Sequence, residues 1–335
     1  MNVRALVGVI ALVVLGLLLW ELRWVLLVLF GAVVLAIALD VVISHLRALA
    51  PLNRPAALAL ALAILAVVGA GLTSQLLPEL VEQARELGRL LPELSHQLES
   101  LLSGIPGLAG LDPTRGGEAW WNRLLPMGGE LLGMAGGAAS STVQLLLMAL
   151  LAVLLALDPR SHQRLVLSAT PAFYRPRMQL LLGECRQALG GWLAGMTLSA
   201  LVVFLASWAG LALLKVPLAL LCGLVCGLFT FVPTLGPFAA TLLAMAVALV
   251  VSPAKMVQVL VLRLVLQNTE AFLLTPLLLS RTVNLLPTVA LMAQLSLGAL
   301  LGLPGLLLAL PLVVVLQVIG QAVLVRDVMD RWERP

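Results

Sequence analysis

Arg263, Gln267 and Glu270 stand at successive steps of four and three residues in an otherwise apolar stretch, with Asn268 and Thr269 beside them. On a helix this spacing puts the first three on one face. A guanidinium, an amide and a carboxylate along one face can hold a polar solute, a monovalent cation or a proton. Each charge at membrane depth costs about 2.5 to 3.5 kcal/mol on insertion scales and persists where it faces a cavity or a partner. The structural alternative is an Arg263–Glu270 pair that locks helices together. Seven residues separate the two, roughly 10.5 Å along a helix axis, too far for a comfortable direct pair. Another side chain, water or ligand is expected to serve at least one of them. The candidate substrate- or ion-binding residues are therefore Arg263, Gln267, Asn268 and Glu270. Glu270 is the favoured proton or cation site, because a carboxylate away from water can couple protonation to transport.

Two apolar segments that would position such a stripe are broken by Pro and Gly, at Val232-Pro233-Thr234-Leu235-Gly236-Pro237 and at Gly302-Leu303-Pro304-Gly305. Hydrocarbon offers no hydrogen-bond partners, so non-helical backbone at that depth survives only where it is buried in protein or lines a cavity. Pro233, Gly236 and Pro237 are the expected breaks of one hairpin, and Pro304 and Gly305 those of the other. Exposed backbone groups at both tips would bind a polar solute or ion.

The rest of the chain fits that setting. Its 335 residues are 61% hydrophobic and 11% charged, with a mean hydropathy of +1.11. This is the composition of a polytopic membrane protein. Apolar windows place spans at 5–20, 24–43, 56–77, 141–157, 189–214 and 256–279, the first two read as retained helices rather than a cleaved signal. The piece after the first break, 238–251, is short for a crossing and favours a re-entrant hairpin. The piece after the second, 305–325, is long enough to span.

The net charge of +4 comes mostly from Arg spread over loops, a topology signal rather than a nucleic-acid surface. Arg47 and Arg54 follow the second span, and Arg160, Arg164, Arg175, Arg177 and Arg186 follow the fourth. Both regions are expected inside, with both termini. Between them, 78–140 carries Glu79, Glu82, Glu86, Glu93, Glu99, Asp112, Glu118 and Glu130 against Arg85, Arg89, Arg115 and Arg123, and is expected outside. The chain thus divides into N-terminal transmembrane helices (1–77), an acidic amphipathic helical extramembrane insert (78–140) and a C-terminal transmembrane core (141–335) with breaks at 232–237 and 302–305. In the insert, Leu80, Ala84, Leu87, Leu91, Leu94, Leu98 and Leu101 follow heptad spacing. This seam packs either on its own bundle or between subunits, with Pro92 expected to kink or restart the helix. A Gly- and Pro-rich loop is expected at 103–117.

The stretch 158–188 mixes Arg with Leu, Phe173 and Tyr174. It either lies on the membrane surface against anionic lipid or simply anchors the inside face. Asp40, near His45 and Arg47, is expected at the interface. The glycine pairs 133/137, 191/195 and 298/302 permit close helix packing but recur by chance in a chain with 28 Gly. Three scattered His and three Cys without ligand spacing offer no metal site, and no motif for a catalytic nucleophile, nucleotide or other cofactor is found. The sequence is expected to be no enzyme.

These residues resemble the AI-2E (autoinducer-2 exporter) family, formerly an uncharacterised permease family, over most of the chain. Asp158 with its basic segment, Pro171 and Gly191-Trp192 look like that family's loop and next helix. The 232–237 segment is similar to its I-P-x-x-G-P hairpin, and Gln267-x-x-Glu270 with Pro276 resembles its Q-x-x-E-x(5)-P stretch. Leu285-Leu286-Pro287, Gly302-x-x-Gly305 and Pro311 look like its closing region. Leu286 stands where many members carry His, so no proton-coupling role is carried over to that position. The resemblance implies an all-α, inner-membrane, homo-oligomeric secondary transporter, plausible as a pentamer, that moves a small polar solute such as an autoinducer-2-like signal. A Na⁺(Li⁺)/H⁺ antiporter of the same fold is the first alternative, and a non-transporting membrane scaffold the second.

Overall fold

The computed structural model describes residues 14, 16–18, 20–103, 139–232, 235–274 and 286–329, all of them helical or in turns between helices. Most of the first expected span, 5–20, lies outside the described residues, as do the break residue Pro233, the glycine pair 133/137 and the expected loop 103–117 apart from Ser103. The helices are α1 (Arg23–Leu49), α2 (Arg54–Ser103), α3 (Ala139–Leu157), α4 (Pro159–Ala169), α5 (Arg175–Leu213), α6 (Ala219–Phe229), α7 (Leu235–Val251), α8 (Pro253–Thr269) and α9 (Pro287–Ile319). Among the described residues four stretches are long and apolar enough to cross a membrane, α1, Arg54–Leu90, Ala172–Leu213 and Pro304–Val325, and the bent pair α3–α4 makes a fifth if it is taken as one span.

Proline and small polar caps set the boundaries. Ala50, which precedes Pro51, is extended and ends α1. The Asn53 side chain accepts a hydrogen bond from the Ala56 amide at the start of α2, and Ser252 caps α8 through the Lys255 amide with Pro253 at the first helical position. Asp158 does the same for α4 through the Ser161 amide, with Pro159 following. There the chain turns by 89° relative to α3. None of the α4 residues is buried, and Leu165 and Val166 are exposed. The surface-helix expectation for 158–188 thus divides: 159–169 is a separate amphipathic helix, whereas 175–188 is the opening of α5. The fifth span starts earlier than hydropathy marks it because one helix runs through the basic segment without interruption.

Helix α2 likewise runs from the apolar span into the acidic segment and stays helical on both sides of Pro92, which does not restart it as a new element. Leu87 and Leu90 pack on the cluster built from Leu211, Cys222, Val247 and Val259, and Gln83 accepts a hydrogen bond from the Leu221 amide at 2.9 Å. Of the heptad seam, Leu87 thus packs on its own bundle. A second cluster joins α1, α2 and α3 through Ala32, Ala36, Ile43, Ala57, Ala61 and Ala152. A third joins α1, α5 and α9 through Val34, Trp192, Met196 and Val314. Helix α5 is thus the shared element, meeting α1 and α9 toward its first half and α6 and α8 toward its second.

Both broken segments double back. Helices α6 and α7 hold 11 and 17 residues, about 16 and 26 Å, each short of a hydrocarbon core of about 30 Å. A Cβ on Gly236 would collide with the Phe229 carbonyl, so the two arms meet almost backbone to backbone. Gly302 sits at φ +64°, ψ −149° inside α9, a conformation that Gly adopts without Cβ strain. Three residues on, a Cβ on Gly305 would collide with the Leu297 carbonyl. Residues eight apart in a straight helix are separated by about 12 Å, so α9 folds back at Gly302. Its second arm runs on into the π-helical turns of Gly320–Met329, and the resulting stretch, Pro304–Val325, has the length to cross, whereas Thr288–Gly302 is shorter.

Candidate functional site

Helix α8 carries the polar stripe and leaves the α geometry where it ends, continuing as a π-type turn over Glu270–Leu274. Such turns recur at functional sites. The expected span 256–279 is therefore 17 residues of α-helix from Pro253 followed by this turn, with 275–285 outside the described residues.

Arg263 is 2% exposed. Its Nη1 donates to Ser207 Oγ at 2.8 Å and its Nε to Thr241 Oγ1 at 3.2 Å. The Thr241 hydroxyl in turn donates to the Pro237 carbonyl at 2.7 Å, which links Arg263 to the first break. Glu270 receives Ser199 Oγ at 3.0 Å on one carboxylate oxygen and Gln267 Nε2 at 3.4 Å on the other. Among the described residues no carboxylate lies within ion-pair distance of Arg263 and no cation within ion-pair distance of Glu270. A guanidinium has five N–H donors, and two of them are engaged among the described residues.

The stripe thus brings Arg263, Gln267 and Glu270 together against α5, where Ser207 and Ser199 form two rungs in antiparallel order. Asn268 does not join them. Its amide donates to the Leu264 carbonyl and is exposed, because one residue beyond Gln267 is about 100° around the helix. Thr269 likewise bonds its own helix, at Val265. Ser199, Ser207 and Thr241 are not among the sequence candidates, and their sequence signal is a hydroxyl within an apolar run. Gln294, on the first arm of α9, is fully buried with neither amide atom hydrogen-bonded among the described residues. An amide left so is costly unless a further group meets it.

A second buried charge system lies elsewhere on α5. Asp40 is 8% exposed, held by Arg54 Nη2 at 2.6 Å and by the Arg186 guanidinium. Arg54 Nε also donates to the Ala156 carbonyl at 2.9 Å. The expected interfacial aspartate is therefore a clamp joining α1, α2, α3 and α5. Close packing of α5 with α6 uses Gly223 and Gly227, where a Cβ would meet the backbone of Trp208 and Ala200. This i, i+4 glycine pair is not among those singled out from the sequence.

A family model described as AI-2E family transporter matches residues 9–324. Over 149 residues, 44% of this chain, the sequence is 29% identical to "Putative transport protein YrrI" of Bacillus subtilis (strain 168), covering 42% of that protein. Over 236 residues, 68% of the chain, it is 29% identical to "Putative transport protein MT0215" of Mycobacterium tuberculosis (strain CDC 1551 / Oshkosh), covering 64% of it. A third relative, "Putative transport protein YueF" of Bacillus subtilis (strain 168), is 26% identical over 160 residues, 48% of this chain and 43% of that protein. Each match spans less than two thirds of the relative's length.

Proposed function

This chain belongs to the AI-2E transporter family, and from that premise we propose that it exports a small polar solute, such as an autoinducer-2-like signal, by alternating access around its two broken segments. The observation that carries the reading is Arg263, a deeply buried guanidinium met by two hydroxyls and no carboxylate among the described residues. A structural ion pair needs its counter-charge beside it, whereas a binding site leaves donors for the solute. Oxygen atoms of the solute take the spare guanidinium donors. Glu270, two helical turns away, takes a hydroxyl donor or a proton. The link from Arg263 through Thr241 to the Pro237 carbonyl supports coupling of solute occupancy to the first hairpin, read as re-entrant. An inner (plasma) membrane location, inside termini and a homo-oligomer, a pentamer by the resemblance, belong to the same proposal.

One observation favours a second reading, Na⁺(Li⁺)/H⁺ antiport: the Glu270 carboxylate is held by a neutral hydroxyl and a neutral amide, an oxygen-rich setting a monovalent cation can enter. Purified protein in liposomes separates the two. Uptake of a furanone-type signal is expected without obligatory Na⁺ or Li⁺ flux. Dissipation of a pH gradient by Na⁺ or Li⁺ with no solute flux overturns the export reading in favour of antiport.

A further inference from the structure

Away from the polar stripe, α1, α5 and the second arm of α9 enclose a crevice of about 690 Å³, within the range of small-molecule and lipid sites. Phe30 and Ile37 line it from α1, Leu182 and Leu189 from α5, and Val315 and Ile319 from α9. Such a wall offers nothing to a polar solute. Its mouth is different. Phe173 and Tyr174 border it and Arg186 forms part of its wall. Arg175, exposed at the start of α5 and adjoining Tyr174, spends only its Nε on the Thr170 carbonyl among the bonds described. Arg177 reaches the Ala322 carbonyl, next to the lining residue Val323. Helix α4 precedes this mouth with Arg160, Arg164 and the exposed Leu165 and Val166. Near these guanidiniums, the carboxylates among the described residues include Asp40, already held by Arg54 and Arg186, Asp158, bonded to Ser161 at the start of α4, and Glu184 on α5.

We propose that this crevice binds one anionic phospholipid of the surrounding bilayer, with an acyl chain in the apolar channel and its phosphate at the mouth against Arg175. Charge complementarity selects the occupant. An apolar slot alone accepts any lipid chain, and a cationic rim alone accepts any anion, but the two together fit a chain that ends in a negative headgroup. The aromatic pair Phe173–Tyr174, with ring centroids 6.5 Å apart, stands at the mouth as aromatic side chains do at membrane–water boundaries. The bound lipid would fill the gap between α1 and the second arm of α9. This assignment is independent of what the polar stripe transports.

The test uses the full chain, reconstituted in nanodiscs with equal phosphatidylglycerol and phosphatidylcholine, then released into detergent for native mass spectrometry. Wild type is expected to retain phosphatidylglycerol over phosphatidylcholine by about fivefold or more, the effect of a single surface arginine on an anionic headgroup. R175Q, at an exposed position, should reduce that preference while leaving the elution volume on size exclusion unchanged. Leu182→Trp, which fills the channel, should lose retained lipid of both kinds. Equal retention of the two lipids by wild type, or an undiminished preference in R175Q, overturns the proposal. So does a Leu182→Trp protein whose oligomeric mass changes while its lipid retention does not, which would assign the crevice to a second copy of the chain.

Discussion

Helix α5 serves two buried charge systems that solve the same problem in opposite ways. Around Asp40, one carboxylate meets two guanidiniums, and Arg54 also satisfies a helix-end carbonyl. Around Arg263 and Glu270, each charge meets hydroxyls or an amide among the described residues. A cluster whose charges satisfy one another is a weld, because removing one member strands the others. Charges held by neutral dipoles keep part of their bonding capacity for something that comes and goes. The difference teaches where to look for function in this molecule: in the buried charges that remain uncompensated, not in every buried charge.

The sharpest way to break this contrast is Glu270→Gln. It keeps the shape and an acceptor for Ser199, so thermal unfolding in detergent should move by no more than the worth of one hydrogen bond, about 1 kcal/mol. Transport in liposomes should fall to background. Wild-type flux in that variant would remove Glu270 from the mechanism and leave the two systems alike.

Asp40→Asn is the converse. Leaving Arg54 and Arg186 without their carboxylate should cost about 3 kcal/mol, the low end for a broken buried pair because Arg186 is half-exposed. Flux per folded molecule should be retained. If stability held and flux vanished, the clamp would be part of the transport machinery.

The smallest effect comes from a carboxylate with no burial. The Ser161 hydroxyl, then the Ser161 amide, hold Asp158 below the ordinary carboxylate value. A lowered value in the fold means that the cap's contribution is complete above the unfolded value and is lost as pH falls through the folded one. Protection of the Ser161 amide from hydrogen exchange, taken relative to its intrinsic rate at each pH, should be constant from neutral pH down to the ordinary carboxylate value of about 3.9 and fall below it. Asp158→Ala should show no such step. A step at neutral pH would show that α4 is held by something other than this cap.

Much of this arrangement is legible in the sequence because it depends on local spacing. The steps between Arg263, Gln267 and Glu270 place them on one face, and the Pro and Gly breaks mark both turns. What is not legible depends on distant partners. Asp40 meets Arg54 and Arg186 across separations of 14 and 146 residues, and charge bias alone assigns those arginines to loops. Ser199 and Ser207 escape notice because a hydroxyl hardly disturbs an apolar pattern. Asn268 is legible as a polar residue, but the sequence does not show that its side chain turns back on its own helix. Pro92 illustrates another limit: a proline removes one hydrogen bond, and the turns on either side of it in α2 remain helical.

The length of α5 sets a phase relation between the weld and the rungs. From Arg186 to Ser199 is 13 residues, about 20 Å of rise and about 220° of rotation, whereas Ser199 and Ser207 differ by only about 80°. Measured from Arg186, Ser199 lies about 140° and Ser207 about 60° around the same rod, so one rigid helix fixes the angles between the clamp and both rungs. A twist of that rod that drew Ser199 and Ser207 toward α8 would carry Arg186 out of line with Asp40, so the weld acts as a torsional stop on the helix that grips Arg263 and Glu270.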